Sequence, residues 1–361
     1  MKYEADVCIV GAGPGGALLA YLLAKQNISV LLLEKSATIG KAFRGEHLNE
    51  EGEAILKKHR LFEALEESGL LRMEQLELWQ DGVELKKILP HPQIGHLSIH
   101  VPQVNLLSVI LNEAKKFPHF TLMLETNVEK LLQNESGHYC GVLARHNEHE
   151  IEISSKLIVG ADGRYSTIRR QSNIEMVKRK HGFDLLWARI PTPIGWKPSI
   201  KMTMIDGKQL ALFTQAQGYI QIGWNIDQGS FSELRKQPFT LFIDQLIKAF
   251  PMLTEAVQKH IKSWQDFVLL DVFSSQCKCW GTKGLVLLGD AVHTMTPTGA
   301  FGLNSALKDA DCLASLIAER GLQGFDVTQY ENLRQAAIEE VQAIQIEKEQ
   351  SFSSQFKNKP Q

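Results

Sequence analysis

The run Val7-Cys8-Ile9-Val10-Gly11-Ala12-Gly13-Pro14-Gly15-Gly16 decides the fold. Four apolar residues ending at glycine read as a short buried strand, and Ala17 to Ala24 reads as the helix that follows. Ser29 to Leu33 is a second buried strand, so the opening is a βαβ unit and the chain is predicted to be α/β. In the pattern Gly11-x-Gly13-x-x-Gly16 the first glycine allows the turn, the second lets a pyrophosphate approach, and the third lets helix pack on strand. The helix N-terminus then faces the anion. Three spaced glycines arise by chance in roughly one chain in ten of this length, so context has to carry the reading. Glu34 supplies it: eighteen positions after Gly16, it closes the second strand, where a carboxylate can accept hydrogen bonds from both hydroxyls of an adenosine ribose. This order predicts a bound dinucleotide without separating FAD from NAD.

A second constellation separates them. Leu285 to Leu288 is another buried run, entering Gly289-Asp290-Ala291-Val292-His293 and then Thr296-Pro297-Thr298-Gly299-Ala300-Phe301-Gly302-Leu303-Asn304. A strand-end aspartate can bind a sugar-like polyol, and a glycine-rich turn lets a helix N-terminus approach negative charge developing on a flavin ring. A nicotinamide enzyme needs neither. A third segment, Ala161-Asp162-Gly163-Arg164-Tyr165-Ser166-Thr167-Ile168-Arg169, follows the strand-like run Leu157 to Val159.

These three segments, in this order, resemble the motifs of the para-hydroxybenzoate hydroxylase family, the class A flavoprotein monooxygenases. The family's ribityl-binding motif is GDAxH followed by PxxGxGxN, and its DG fingerprint serves both FAD and NAD(P)H. The resemblance spans about Asp6 to Glu319 and is faint from Asn173 to Trp264. It implies a Rossmann-type FAD-binding domain with an inserted β-sheet substrate domain, and residues 1–77, 98–178 and 268–325 are expected in the former. Residues 78–97 and 179–267 are expected in the sheet domain, with a C-terminal helix and tail over 326–361. Position by position, it implies that Gly11, Gly13, Gly15 and Gly16, with Pro14, face the pyrophosphate. Glu34, followed by Lys35, would take the ribose; Arg44 the phosphates; Gly289 and Asp290 the ribityl chain; and Leu303 with Asn304 the flavin's pyrimidine side, with Pro297, Gly299 and Gly302 also binding the cofactor. Asp162 carries the DG motif. Gln103 stands where many relatives have arginine, and a glutamine can still donate to a phosphate or ribityl oxygen.

The implied reaction is hydroxylation of a small aromatic or heteroaromatic substrate through a flavin hydroperoxide, with NADH or NADPH as co-substrate and dioxygen as oxidant. His47 is the candidate acid or base, since it follows the Arg44 segment. In the sheet domain Trp187, Arg189, Gln215, Gln221 and Trp224 alternate along strands; Arg189 and Trp224 are the expected substrate contacts, for an anionic group and an aromatic face. A quinone- or prenyl-lipid-modifying flavoenzyme shares the motifs and stays open. A flavin halogenase would carry WxWxIP, whereas the nearest string here is Gly223-Trp224-Asn225-Ile226. A non-catalytic FAD module would not need an intact DG segment.

Composition fits this picture. The 361 residues are 44% hydrophobic and 22% charged with a formal net charge of -2, enough for one large or two coupled domains and without a basic field to collect nucleic acid. No apolar stretch approaches the ~20 residues of a membrane-spanning helix. Five scattered cysteines suggest a reducing cytoplasm. The Cys277/Cys279 pair has no second pair, so no metal is expected. The chain is expected to be a monomer or homodimer.

Overall fold

A computed structural model describes residues 1–40 and 46–356; Arg44 lies outside the described residues. The chain divides into two compact units, the first comprising Met1–Ser68, Gln103–Arg179 and Ser274–Ala343. The second comprises Gly69–Pro102, Lys180–Phe273 and Ile344–Gln361. The first segment of the second unit is wider than the expected 78–97, running from Gly69 to Pro102. The helix Val327–Ser351 is shared between the units rather than standing apart.

In the first unit, Lys2–Val10 lies between Val30–Leu33 and His149–Gly160, parallel to both. Phe120–Met123 extends the sheet beyond Val30–Leu33, and Leu285–Leu287 extends it beyond His149–Gly160, again in parallel. All these strands therefore end on the same side, where Gly11, Glu34, Ala161 and Leu288 follow them. Short apolar runs with both faces covered are what a parallel sheet selects. The strand His149–Gly160 extends well before the run Leu157 to Val159 that the sequence marks as strand-like. Its first half pairs antiparallel with Tyr139–His146, which in turn pairs with Thr126–Gln133. Its second half enters the parallel sheet, so polar Ser154, Ser155 and Lys156 mark the crossing between two environments.

The helix Pro14–Lys25 starts with proline at its first turn and contains no β-branched residue, and Gly15 to Ala24 are all buried. It packs against Gln103–Ala114 and Phe301–Gly324, sandwiched between them and the sheet.

The second unit is built on a seven-stranded sheet in the order Val268–Leu270, Phe183–Pro191, Tyr219–Asp227, Lys208–Gln215, Ser199–Ile205, Gln75–Gln80, Val83–Ile88. Period-two alternation sorts its residues by face. Leu186, Ala188, Leu212, Ile222 and Trp224 face one side, where Phe242, Ile243 and Leu246 of the helix Phe239–Ala249 cover them. Glu77 and Lys201 share that buried face as an ion pair at 2.5 Å. The indole N–H of Trp79 also donates to Glu77, and the rings of Trp79 and Trp196 flank the Lys201 ammonium. A buried pair satisfied in this way avoids most of the desolvation cost of an isolated charge.

Candidate functional site

The glycine turn leaves the first strand at Gly11, whose φ of 107° is open to glycine and costly for other residues. Its N–H donates to the Leu33 carbonyl (2.8 Å), stitching the turn to the neighbouring strand. What a side chain would meet at each glycine separates their packing roles. A Cβ on Gly11 would lie 2.4 Å from the Ala161 oxygen, on Gly15 2.4 Å from the Leu288 side chain, and on Gly16 2.1 Å from the Gly11 oxygen. These three are glycine because protein packs on them. At Gly13 nothing lies within 4 Å. Gly13 is extended and makes no side-chain cap, so Pro14 opens a helix whose first N–H groups have no side-chain acceptor.

Glu34 is placed beside this turn: its carboxylate accepts from Ala12 N–H (3.1 Å) and Ser36 N–H (3.0 Å), one bond on each oxygen. Each oxygen keeps a lone pair for a ribose hydroxyl. Lys35, the next residue, is exposed.

Asp162 has a different task. One oxygen accepts from Ser166 Oγ and the other from the N–H groups of Thr167 (2.6 Å) and Ile168 (3.2 Å). Ser166 itself caps the short helix Thr167–Gln171 by accepting from Arg169 N–H. Asp162 therefore shapes its own loop, and that loop carries Arg164 toward Asp290, with 3.9 Å between guanidinium Nε and carboxylate. The buried Arg169 donates to the carbonyls of Ala291 (2.7 Å) and Arg164 (3.0 Å), joining the two motifs. Arg169 ends the third sequence motif, where nothing local signals this role.

Asp290 sits in a single helical turn, Gly289–Ala291, at the end of Leu285–Leu287, with its side chain 36% exposed. Gly289 has φ 60° and Gly299 φ 75°. Pro297 leads into the turn Thr298–Ala300, and left-handed Ala300 then starts the helix Phe301–Gly324 without a side-chain cap. The nearest atom to a Cβ on Gly302 would be an Asp290 carboxylate oxygen at 3.9 Å, so the first turn of this helix is open toward Asp290. Leu303 and Asn304 are buried. The Asn304 amide donates to the carbonyls of His47 (3.1 Å) and Ala300 (2.9 Å) and accepts from Asn49 N–H (3.1 Å). Its side chain is thus spent on the protein, and what this position can offer a flavin is main chain. The same contacts hold the strand His47–Leu48 at the helix start, with His47 partly buried. Gln103 is buried at the start of its own helix and donates its N–H to Glu46 (3.4 Å).

The donor set fits FAD. The open Gly13 and its uncapped helix suit a pyrophosphate and the Glu34 oxygens a ribose. The half-exposed Asp290 suits a polyol, and a second uncapped helix start suits a ring that gains negative charge.

Comparisons with known proteins agree. The family described as "FAD binding domain" matches residues 4–340. Over 329 residues the chain is 30% identical to 6-methylpretetramide 4-monooxygenase of Streptomyces rimosus, covering 90% of this chain and 77% of that protein. Squalene epoxidase 6 of Arabidopsis thaliana is 26% identical over 329 residues, which cover 87% of this chain and 62% of that longer protein. P. aeruginosa PqsL, solved in complex with 2-aminobenzoylacetate, shares the fold with a TM-score of 0.80 at 21% identity, over 98% of this chain and 100% of that one. The chain belongs to the FAD-binding-domain family, and with its relatives it is an FAD-dependent monooxygenase of the aromatic-hydroxylase kind. Among the described residues no helix is long and apolar enough to cross a membrane.

Trp224 is corrected as a substrate contact. It is 2% exposed and stacks on Phe242 (ring centroids 3.8 Å apart) in the helix-covered core of the second unit. Arg189 lies on the sheet's other face and is exposed, its guanidinium over the Tyr219 ring. The alternation was legible in sequence; which face the helices cover was not.

Proposed function

We propose that this enzyme hydroxylates a small aromatic or heteroaromatic molecule bearing an anionic group, using NADH or NADPH as reductant and dioxygen as oxidant. The carrying observation is the composition of the sheet face opposite the helices. There Trp187 stands across from Gly223, and Arg189 from Gln221, which is paired in turn with Phe213. Gly223 makes room for the indole: a Cβ there would lie 2.6 Å from the Trp187 ring. The buried indole Nε1 of Trp187 makes no hydrogen bond, a donor left for an acceptor that the chain does not supply. Arg189 has no acidic partner among the described residues. An indole with an unused donor, a second ring, an amide and a guanidinium suit a flat, electron-rich ring with a carboxylate or phenolate.

When bound, FAD carries electrons from the nicotinamide to dioxygen and delivers oxygen to the ring; the protein's work is to bind, orient and keep water out. In this reading Arg189 and Trp187 orient the substrate. His47, held through its carbonyl by the Asn304 amide at the start of the helix Phe301–Gly324, is the acid or base proposed for the flavin side of the reaction. The 4-monooxygenase activity of the S. rimosus relative supports the reaction class. 2-Aminobenzoylacetate, the molecule held by PqsL, joins an aromatic amine ring to a side-chain carboxylate and supports the substrate class.

The test is stopped-flow absorbance of the flavin with NADH and NADPH across phenols, quinolones, quinones and a polyprenyl hydrocarbon. Acceleration of flavin bleaching by an aromatic compound, with an oxygenated product, is expected. Acceleration by the polyprenyl compound alone would replace this reading with lipid oxidation. Bound FAD that no nicotinamide reduces under any condition would refute NAD(P)H as the direct reductant.

A further inference from the structure

The helix Phe301–Gly324 carries an acid that the site described above does not use. Asp309 is fully buried, and its stripe is otherwise made of small and apolar residues such as Ala306, Leu313 and Leu316. One carboxylate oxygen accepts from Gly289 N–H (3.1 Å) and meets His293 Nε2 at 2.6 Å. The other accepts from Arg334 Nε at 2.7 Å. Arg334 is itself buried and comes from Val327–Ser351. Gly289 and His293 bracket Asp290, so the carboxylate grips the flavin loop on both sides of its ligand. The helix that supplies Arg334 holds the loop at another point. Gln342, eight residues on and so on the same helical face, donates to the carbonyls of Thr294 and Ser275 (3.1 Å each). Thr294 Oγ1 in turn donates to the Asp290 carbonyl (2.9 Å).

We propose that Asp309, clamped by Arg334, is a positioning residue for FAD. It sets the pose of the Gly289–His293 turn, and thereby the direction in which Asp290 presents its carboxylate. Stability alone does not call for this arrangement, because a buried ion pair can often be replaced by apolar residues of similar volume at no cost. Its partners point to orientation instead. Two of the groups on Asp309 belong to the loop, and the third ties the loop to a distant segment. His293 follows as the imidazole that locks the turn: it is 1% exposed, rests near the Trp280 ring and has no partner on Nδ1.

The test uses the full chain in apo and FAD-loaded forms. FAD affinity is read by quenching of flavin fluorescence, the apo protein by thermal melting, and the bound ring by visible circular dichroism. The balanced double variant Asp309→Leu/Arg334→Met removes both charges. It is expected to fold, to bind FAD about tenfold to a hundredfold more weakly, as for loss of one charged hydrogen bond, and to alter the flavin's circular dichroism. His293→Leu leaves the ion pair intact and removes one grip on the loop. It is expected to weaken FAD in the same direction, and His293→Gln, which keeps an N–H donor, to recover most of the affinity. Parent-like affinity and circular dichroism in a folded His293→Leu or double variant would overturn the proposal. So would a loss of affinity that merely follows the apo melting temperature.

Discussion

Gly13 and Gly16 are glycines of one motif with opposite surroundings, and substituting each with alanine separates cofactor binding from folding. At Gly16 the new methyl would sit 2.1 Å from the Gly11 carbonyl oxygen, where ordinary contact begins near 3.4 Å. Both sides are backbone, so strand and helix must part by about an ångström, and overpacking of this kind costs about 1–3 kcal/mol or more. At Gly13 the methyl meets nothing, and the residue's φ of -70° and ψ of 177° suit alanine. Gly13→Ala should therefore stabilise the apo protein by about 0.4–1 kcal/mol, through the loss of unfolded-state freedom. It should also place a methyl where the pyrophosphate approaches. An overpacking cost of about 1–3 kcal/mol paid only in the complex is roughly a 5- to 150-fold loss of FAD affinity. Denaturant unfolding of the apo proteins and FAD titration measure the two effects independently. Gly13→Ala that binds FAD as the parent does, or Gly16→Ala that unfolds at the parent's denaturant midpoint, would refute this assignment of roles.

Other substitutions test the remaining geometry. Arg169→Met strands the Ala291 and Arg164 carbonyls in a buried setting at about 1–3 kcal/mol each, so a marked fall in the unfolding midpoint together with weaker FAD binding is expected. Trp224→Ala should cost about 3–5 kcal/mol of stability while leaving KM for any accelerating aromatic unchanged; a selective rise in KM without loss of stability would return Trp224 to the substrate. Burial pushes the Cys8 thiol up to about 12 and the Cys277 thiol to about 11, so neither should react with a thiol reagent at about pH 8 until denaturant is added. Lys156, together with the Ser29 N–H, holds the Asp6 carboxyl below its ordinary value. That contribution is present above the unfolded carboxylate pKa and lost as pH falls through the lowered folded one. The stability difference between parent and Asp6→Asn should therefore shrink below about pH 4, as followed by urea midpoints.

Much of the parallel core was legible because Val7–Val10, Val30–Leu33 and Leu157–Val159 are short apolar runs closed by a glycine or an acid. The strand Thr126–Gln133 was not, since Thr126-Asn127-Val128-Glu129-Lys130 belongs to an antiparallel ribbon that keeps one face in water. Gln75–Gln80 hides Glu77, whose partner Lys201 is far away in sequence and leaves no local trace. At the site, sequence located the turns but not what their side chains do. Asp162 and Asn304 read as ligands, and their side chains turn out to build the loops that carry other ligands. Asp309 carried a usable signal, an acid on the apolar stripe of an otherwise amphipathic helix. Its meaning depended on Arg334, which no spacing rule connects to it.

The groups that fit FAD are dispersed along the chain: the glycine turn and Glu34 near its start, the Asp162 loop midway, Asp290 late, and the Arg334 brace later still. During synthesis the adenosine half of the cradle can therefore take shape long before the flavin half exists. The strand Leu285–Leu287 must find its place beside His149–Gly160 after five of the seven strands of the second sheet, Phe183–Pro191 to Val268–Leu270, have emerged between them. Such long-range closure is slow, and it leaves the edge of Ile158–Gly160 uncovered while it waits. The flavin half is thus the last part of the cradle to be made, and it closes on a sheet whose other strands come earlier in sequence.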